Sequence, residues 1–164
     1  KKDVRGFGSG NIGATNVLRT GKKHLALLTL LLDILKGYLA IYVTFFYFND
    51  LIYLSAIISL IGHIFPAWLK FKGGKGVATY LGIILALSLN LSILFCLTWL
   101  IMLLIFKYSS LSSIISALVV LIYSLFINDL SLNFYLFFCF IIIVFTHKEN
   151  IIRLKNKTEN KIKF

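Results

Sequence analysis

The sequence predicts an all-α protein, a polytopic bundle of transmembrane helices with about six spans. Three observations predict this fold class: 59% of the 164 residues are hydrophobic, the mean hydropathy is +0.92, and long apolar runs alternate with short polar clusters. A soluble domain needs more polar surface than this to cover its core. Lipid can bury so much apolar area, and helices satisfy their own backbone groups within it.

Four apolar segments are each expected to form one span. They are residues 25–48, 51–69, 111–127 and 132–145. A helix needs about 20 apolar residues, at a rise of 1.5 Å per residue, to cross a hydrocarbon core of about 30 Å. The first segment is interrupted by Asp33, Lys36 and Gly37, and Asn128 and Asp129 separate the last two.

Residues 76–106 carry no charge and are harder to assign. They would make about 46 Å of helix, which is too long for one upright span and short for two. Two crossings place every Lys/Arg cluster on one side of the membrane, as the positive-inside rule favours, whereas one crossing does not. We therefore predict two short or tilted helices with a turn at residues 88–92, and both chain termini in the cytoplasm.

The charge and the remaining composition limit the function classes. The net charge is +11, but all of the 17 Lys and Arg except Lys36 lie in or beside polar clusters or in the turn at Lys107. This distribution is typical of positive-inside anchoring, so no nucleic-acid partner is expected. The two cysteines lie in apolar runs and the three histidines are scattered singly, so no metal or other cofactor is expected. Residues 1–164 are expected to form a single domain.

Three polar clusters indicate chemistry with phosphate. They are residues 1–23, 70–79 and 146–164, and all three lie on the predicted cytoplasmic side. Glycines, hydroxyls, amides and cations at one interface are what an anionic substrate that carries phosphate requires. We therefore expect a membrane enzyme that handles phosphate.

The first cluster contains GSGNIGATN at residues 8–16, which matches the dinucleotide-binding pattern GxGxxG. That pattern needs a βαβ unit, whereas a transmembrane span follows here, so dinucleotide binding is not expected. The glycines would still let backbone N–H groups approach an anion, beside a helix that starts near Ala14. The alternative is a helix cap with cations that reach toward anionic lipid. The candidate phosphate ligands are Gly8, Ser9, Gly10, Asn11, Thr15, Asn16 and Arg19.

The second cluster contains FKGGKGVAT at residues 71–79. It lacks the GxxxxGK[ST] spacing of a P-loop, and Val77 stands where the magnesium-binding hydroxyl would be, so nucleotide hydrolysis is disfavoured. A glycine-rich turn that opens a helix is nevertheless a good cradle for phosphate. The candidate ligands are Lys72, Gly73, Gly74, Lys75 and Gly76.

The third cluster begins with THKEN at residues 146–150 and continues to Arg153. If a helix continues here, His147, Asn150 and Arg153 lie roughly on one face. A histidine that titrates near neutrality, beside an amide and a guanidinium, suits proton transfer or phosphate contact. A cationic membrane exit is the alternative, and it accounts for Arg153 but not for His147 and Asn150.

Two charges lie inside the first apolar segment. Asp33 and Lys36 are spaced i, i+3 and can pair, although each costs about 3 kcal/mol on insertion scales. We favour a supporting pair over direct catalysis. His63, a lone histidine on an apolar helix, is expected to be a satisfied structural residue.

In their order and spacing, these motifs resemble the bacterial acyl-phosphate-dependent glycerol-3-phosphate acyltransferase family. The resemblance covers essentially the whole chain. Its most specific parts are GSGNIGATNVLR at 8–19, LDILKG at 32–37, GHIFP at 62–66, FKGGKGVAT at 71–79 and HKENIIRL at 147–154. One departure is visible near the end, where this chain has Lys157 at the position of the glycine that usually precedes the family's glutamate.

The resemblance implies a seven-helix enzyme of the bacterial inner membrane with its active site facing the cytoplasm. Such an enzyme transfers a fatty acyl group from acyl phosphate to the 1-position hydroxyl of glycerol 3-phosphate, giving lysophosphatidic acid and phosphate. This is the first acylation step of phospholipid synthesis. Six predicted spans fit if a seventh, N-terminal helix is missing before the first residue, which is not a methionine. The family match makes Ser9, Arg19, Lys75, His147 and Asn150 the candidate catalytic residues.

The residue chemistry agrees with that reaction. Acyl phosphate is already activated, so no nucleophilic serine or cysteine is needed, and the sequence has no GxSxG elbow. The expected partners are glycerol 3-phosphate, fatty acyl phosphate and membrane lipids. The competing class is a membrane carrier or channel for organic phosphates, which would place charges along a route across the bilayer. Only Asp33 and Lys36 lie within a predicted span, so the enzyme is favoured.

Overall fold

The structure is a computed structural model, and it describes residues 3–6, 8, 10–127 and 129–162. Within these residues the chain forms eight α-helices and three short 3₁₀ turns, with no strand. The prediction of an all-α fold is therefore confirmed. The chain divides into two compact units, unit 1 (Lys1–Leu87) and unit 2 (Ser88–Phe164), and the single domain expected from the sequence stays a prediction.

Unit 1 is organised around one long helix. Its helices are α1 (Ala14–Arg19), α2 (Lys23–Tyr47), α3 (Ile52–Ile64) and α4 (Val77–Leu87), and the other three all pack against α2. Glycines let α2 and α4 approach closely: a Cβ on Gly37 would overlap the Thr79 carbonyl oxygen, and one on Gly82 would overlap that of Ile34. Small residues at helix crossings are typical of membrane proteins.

The predicted second span, residues 51–69, is interrupted near its end. α3 ends at Ile64, and Pro66 precedes a separate 3₁₀ turn at Ala67–Leu69. Proline has no N–H and disfavours a helical conformation in the residue before it, so the helix ends there. Lys70 and Phe71, the first residues of the second polar cluster, then take left-handed conformations with φ of 53° and 60°.

Unit 2 contains α5 (Leu89–Phe106), α6 (Ser109–Ser124), α7 (Leu130–Thr146) and α8 (Lys148–Lys155). α6 packs against both α5 and α7, and the Trp99 indole N–H donates to Ser113 Oγ at 3.1 Å. Buried serines line α6, and the hydroxyls of Ser112, Ser113 and Ser116 donate to carbonyl oxygens one turn earlier. Their polarity is thus satisfied within the helix.

The six predicted apolar segments correspond to helices α2 to α7. The uncharged stretch 76–106 divides as predicted, but at the single residue Ser88, whose side chain caps α5 by accepting from the Leu91 N–H. Among the described residues, Lys23–Tyr47, Asn49–Leu69 and Leu89–Phe106 are long and apolar enough to cross a membrane. A fourth candidate is α7 with α8, which are bent by 60°, while α4 and α6 are shorter. Several apolar helices are confirmed, and the count of six spans stays a prediction.

Candidate active site

Within the first cluster, the glycine motif forms a turn that two asparagine side chains stabilise. Gly8 and Gly10 have φ of 56° and 68°, a conformation that glycine adopts at little cost. The Asn11 side-chain oxygen accepts from the Gly13 N–H at 2.7 Å, and α1 begins at the next residue, Ala14, as predicted. Ser9, a predicted catalytic residue, lies outside the described residues.

Asn16 holds this turn together. Its side chain is buried, and its Nδ2 donates to the carbonyl oxygens of Val4 at 3.0 Å and Asn11 at 2.7 Å. The Asn16 amide therefore stabilises the turn, and its role in substrate binding stays a prediction. Thr15 and Arg19 are half-buried on α1, and Gly8 lies against the Arg19 side chain, since an added Cβ would be 3.0 Å from its Cδ.

Within the second cluster, residues 73–76 form a glycine turn that packs on the end of α3. The N–H groups of Gly73 and Gly74 donate to the carbonyl oxygens of Ile64 and His63, at 3.0 and 3.1 Å. These two amides cap α3, and the role of this turn as a phosphate cradle stays a prediction. Gly76 has φ of 85° and leads into α4, so its glycine is required by conformation.

The two lysines of the second cluster differ in burial. Lys75 is half-buried within the glycine turn, whereas the side chain of Lys72 is exposed. A half-buried cation on an anchored turn is the better placed of the two to bind a phosphate, because less side-chain freedom is lost when it binds.

Asp33 and Lys36 pair on α2, as predicted. The Lys36 ammonium donates to Asp33 Oδ1 at 2.6 Å and also contacts His63 Nδ1 on α3. His63 is buried, and its Nδ1 lies 3.5 Å from Asp33 Oδ1. His63 therefore has polar partners, as expected of a satisfied residue, and the pair becomes a three-residue cluster.

In the third cluster, His147 lies at the bend between α7 and α8. The residue is buried, and its Nδ1 is 2.8 Å from the carbonyl oxygen of Ile143. A carbonyl only accepts, so Nδ1 carries the proton, and in the neutral ring the lone pair is on Nε2. This tautomer is the one that a proton acceptor working through Nε2 requires.

Glu159 organises the rest of the third cluster, and sequence analysis did not assign it a role. Its carboxylate is buried and accepts from Asn150 Nδ2 at 2.7 Å, from Ser110 Oγ at 2.8 Å and from Arg153 Nε at 2.8 Å. Asn150 and Arg153 thus share a face of α8, as predicted. The bond to Glu159 fixes the orientation of the Asn150 amide, and Arg153 forms a salt bridge with the same carboxylate through its Nε. The role of Arg153 in phosphate binding stays a prediction.

The electrostatic environment of Glu159 favours its ionised form. Burial raises the pKa of this carboxyl group, but the hydrogen bonds from Arg153, Asn150 and Ser110 and the Arg153 charge lower it more. Its pKa therefore lies below the ordinary value of 4.5. A carboxylate that accepts several hydrogen bonds is stabilised in this way.

A helix-ending motif brings Glu159 back to α8. The Thr158 N–H donates to the Arg153 carbonyl oxygen at 2.8 Å, and the Lys157 N–H donates to that of Leu154 at 3.1 Å. These are the two bonds of a Schellman motif, and its C′ residue, Lys157, has φ of 59°. The left-handed position is thus the one where the family usually has glycine. A glycine position two residues before Glu159 indicates a turn after α8, and this was the sequence signal that could have predicted the return of Glu159 to that helix.

The described residues contain no group of three or more His, Cys, Asp or Glu that could hold a metal ion. In unit 1, the structure joins Asp33, Lys36 and His63 to the turn that carries Lys75. In unit 2, it joins Asn150 and Arg153 through Glu159 and orients His147 on the preceding helix.

Known proteins resemble this chain over nearly its whole length. A family model described as glycerol-3-phosphate acyltransferase matches residues 1–157. The glycerol-3-phosphate acyltransferase of Pelagibacter ubique is 48% identical over 163 residues, covering 99% of this chain and 85% of the relative. That of a Wolbachia from Brugia malayi is 48% identical over 162 residues, covering 97% of this chain and 84% of the relative.

Two solved structures of glycerol 3-phosphate acyltransferases also resemble this chain. The crystal structure of PlsY (YgiH), an integral membrane glycerol 3-phosphate acyltransferase, in its glycerol 3-phosphate form matches with a TM-score of 0.93 at 34% identity, covering 99% of this chain and 83% of that chain. The lysophosphatidic acid form matches with a TM-score of 0.88 at 33% identity, covering 94% of this chain and 81% of that chain.

The chain has several apolar helices, and almost its entire length matches an integral membrane enzyme. The protein is therefore a membrane-embedded acyltransferase. The matched region includes all three polar motifs, with only the last residues of the tail outside the family model. The chain belongs to the glycerol-3-phosphate acyltransferase family.

Proposed function

We propose that this protein transfers a fatty acyl group from acyl phosphate to the 1-position hydroxyl of glycerol 3-phosphate. The hydroxyl oxygen attacks the acyl carbonyl carbon, the bond from that carbon to the phosphate oxygen breaks, and inorganic phosphate leaves. The products are lysophosphatidic acid and phosphate. The observation that carries the substrate assignment is the match, over 99% of this chain, to a structure described as a glycerol 3-phosphate form.

The cations of unit 1 suit the phosphate-bearing substrates. Arg19 follows the first glycine motif on α1, and Lys75 lies in the anchored glycine turn. A phosphate moved out of water needs charged partners, and a guanidinium can bind it with two parallel hydrogen bonds. We assign both residues to neutralising substrate phosphate, and Ser9 to orienting a substrate.

The polar groups of unit 2 suit the reacting hydroxyl. His147 holds its Nδ1 proton on the Ile143 carbonyl, so Nε2 accepts the proton that the glycerol 3-phosphate hydroxyl loses. Asn150, whose amide is oriented by Glu159, positions the substrate. No covalent acyl-enzyme is required, because acyl phosphate is already activated, and catalysis rests on positioning and charge balance.

We assign the enzyme to the bacterial inner membrane, with its polar clusters facing the cytoplasm, because Lys and Arg concentrate in those clusters. Single cysteines placed at Asp50, Asn90 and Asp129 should be labelled only from the opposite side by a membrane-impermeant thiol reagent, in a variant whose Cys96 and Cys139 are serine. Labelling at position 90 from the cytoplasm would contradict the prediction that residues 76–106 cross the membrane twice.

An acyl-transfer assay tests the reaction itself. Membranes containing the full-length protein are given labelled glycerol 3-phosphate with either acyl phosphate or an acyl thioester. Formation of lysophosphatidic acid with acyl phosphate and not with thioester is the expected result. Transfer from the thioester alone would overturn the donor assignment, and no transfer from either donor would overturn the proposal.

A further inference from the structure

The cluster of Asp33, Lys36 and His63 contacts the glycine turn through the His63 ring. We propose that these three are positioning residues: they fix the glycine turn and thereby set the place of Lys75, which determines how well the enzyme holds glycerol 3-phosphate. This inference rests on the function proposed above, because Lys75 is assigned there to substrate phosphate.

The cluster fixes one edge of the His63 ring. The Lys36 ammonium reaches Asp33 Oδ1 at 2.6 Å and His63 Nδ1, and the same carboxylate oxygen is 3.5 Å from that ring nitrogen. A buried ring that is hydrogen-bonded to a charged pair has one orientation, whereas an apolar side chain could slide.

The other edge of the ring supports the turn. A Cβ added to Gly74 would overlap His63 Nε2 and lie 2.6 Å from Cε1, so the glycine backbone rests directly on the imidazole. The Gly74 N–H also donates to the His63 carbonyl oxygen at 3.1 Å. His63 therefore holds the turn with both its side chain and its backbone.

Lys75 lies between two anchored glycines. On its far side, Gly76 has φ of 85°, and a Cβ there would lie 2.6 Å from Leu60 Cδ1. The backbone on both sides of Lys75 is thus fixed against α3. A displacement of the ring moves the turn, and a displacement of about 1 Å in a substrate-holding group can cost about 10²-fold in rate.

The inference is tested with a pair of compensating substitutions, a smaller side chain at position 63 and a larger one at position 74. His63→Asn keeps an acceptor for Lys36 near the Nδ1 position but removes the part of the ring that faces Gly74. Gly74→Ala adds a methyl group where the ring stands. Each single variant should raise the KM for glycerol 3-phosphate about tenfold, with a smaller change in the KM for acyl phosphate. The double variant should recover most of this loss, because the methyl group occupies the vacated space.

A matched control separates positioning from stability. Thr44 Oγ1 donates to Ser55 Oγ at 2.8 Å between the same two helices but away from the turn. Ser55→Ala should lower thermal stability and leave the KM for glycerol 3-phosphate unchanged. If His63→Asn behaves like Ser55→Ala, or if the double variant is worse than both single variants, the proposal is overturned.

His63→Gln provides a second variant in case His63→Asn does not accumulate. It keeps a polar group near Nε2, against Gly74, and loses the acceptor for Lys36, so the KM should rise less than in His63→Asn. An equal or larger rise would contradict the role of the Gly74 contact. An inactive wild-type protein would instead refute the proposed function, which distinguishes the two failures.

Discussion

The glycine turn of unit 1 and the tail turn of unit 2 place functional residues by different means. In unit 1, the turn bearing Lys75 rests on the His63 ring, and Gly73 and Gly74 cannot accept even a methyl group without overlap. In unit 2, a Schellman turn returns Glu159 to α8, and its left-handed position is occupied by Lys157. A glycine in a motif can therefore be required by close packing or only by backbone conformation. The conformational requirement is the weaker one, because another residue can meet it at a small cost in free energy.

The two regions also differ in chemistry. Unit 1 contributes Lys75 on a turn that backbone contacts hold, while unit 2 contributes a histidine and an amide held by carbonyl and side-chain partners. We expect unit 1 to govern substrate binding and unit 2 to govern the chemical step.

Replacement of the proton acceptor should have the largest effect. His147→Ala should lower kcat/KM by about 10²–10⁴-fold, mainly through kcat, because a general base contributes about that much. Lys75→Ala is the comparison from unit 1, and it should act mainly through the KM for glycerol 3-phosphate. Steady-state kinetics in membranes measure both. A His147→Ala enzyme with unchanged kcat and pH profile would mean that a substrate phosphate takes the proton.

Loss of the Glu159 carboxylate should come next. Glu159→Ala leaves Asn150, Ser110 and Arg153 without their common acceptor, so we expect about 2–3 kcal/mol of lost stability. The Asn150 amide also loses its fixed orientation, which should lower kcat. Thermal unfolding in detergent and acyl transfer measure the two effects. Glu149→Ala, at an exposed position on the same helix, is the control and should change neither.

The sequence was sufficient to predict much of unit 1. Apolar runs predicted its helices, and the i, i+3 spacing predicted the Asp33–Lys36 pair, because both depend on residues close in the chain. The contacts of Gly73 and Gly74 with α3 could not be predicted. A glycine that approaches a phosphate and a glycine that approaches a histidine ring have the same sequence pattern, and only the path of the chain after Pro66 distinguishes them.

The role of Glu159 was missed for a similar reason. Its partners are Asn150, nine residues earlier, and Ser110, 49 residues earlier on another helix. Local periodicity carries no information about such pairs. A division of the uncharged stretch at residues 88–92 was predicted from charge topology alone, but the one-residue break at Ser88 depends on the capping hydroxyl of that serine.

Acid should affect unit 2 through Glu159. The pKa of its carboxyl group is lowered in the folded protein, so its contribution to stability is present above the ordinary value of 4.5 and is lost as the pH falls through the lowered value. Glu159→Gln should remove this part of the acid dependence. Thermal unfolding of wild type and variant across that range measures it. Parallel loss of stability in both proteins would assign the dependence to other carboxyl groups.

The smallest expected effect is a gain in stability at the tail turn. Lys157 has φ of 59°, which costs a non-glycine residue about 1 kcal/mol. Lys157→Gly should therefore stabilise unit 2, but by less than 1 kcal/mol, because glycine also gains more freedom in the unfolded chain. Lys155→Gly is the matched control: the same residue change within α8 should destabilise by up to about 1 kcal/mol. If both variants lose stability equally, the left-handed conformation is not what distinguishes position 157, and the mild conformational requirement inferred for the tail turn is wrong. Lys157→Gly should gain stability, whereas Gly74→Ala should lose both stability and substrate affinity. That result would show that position 157 favours glycine for its backbone conformation and that position 74 requires it for close packing.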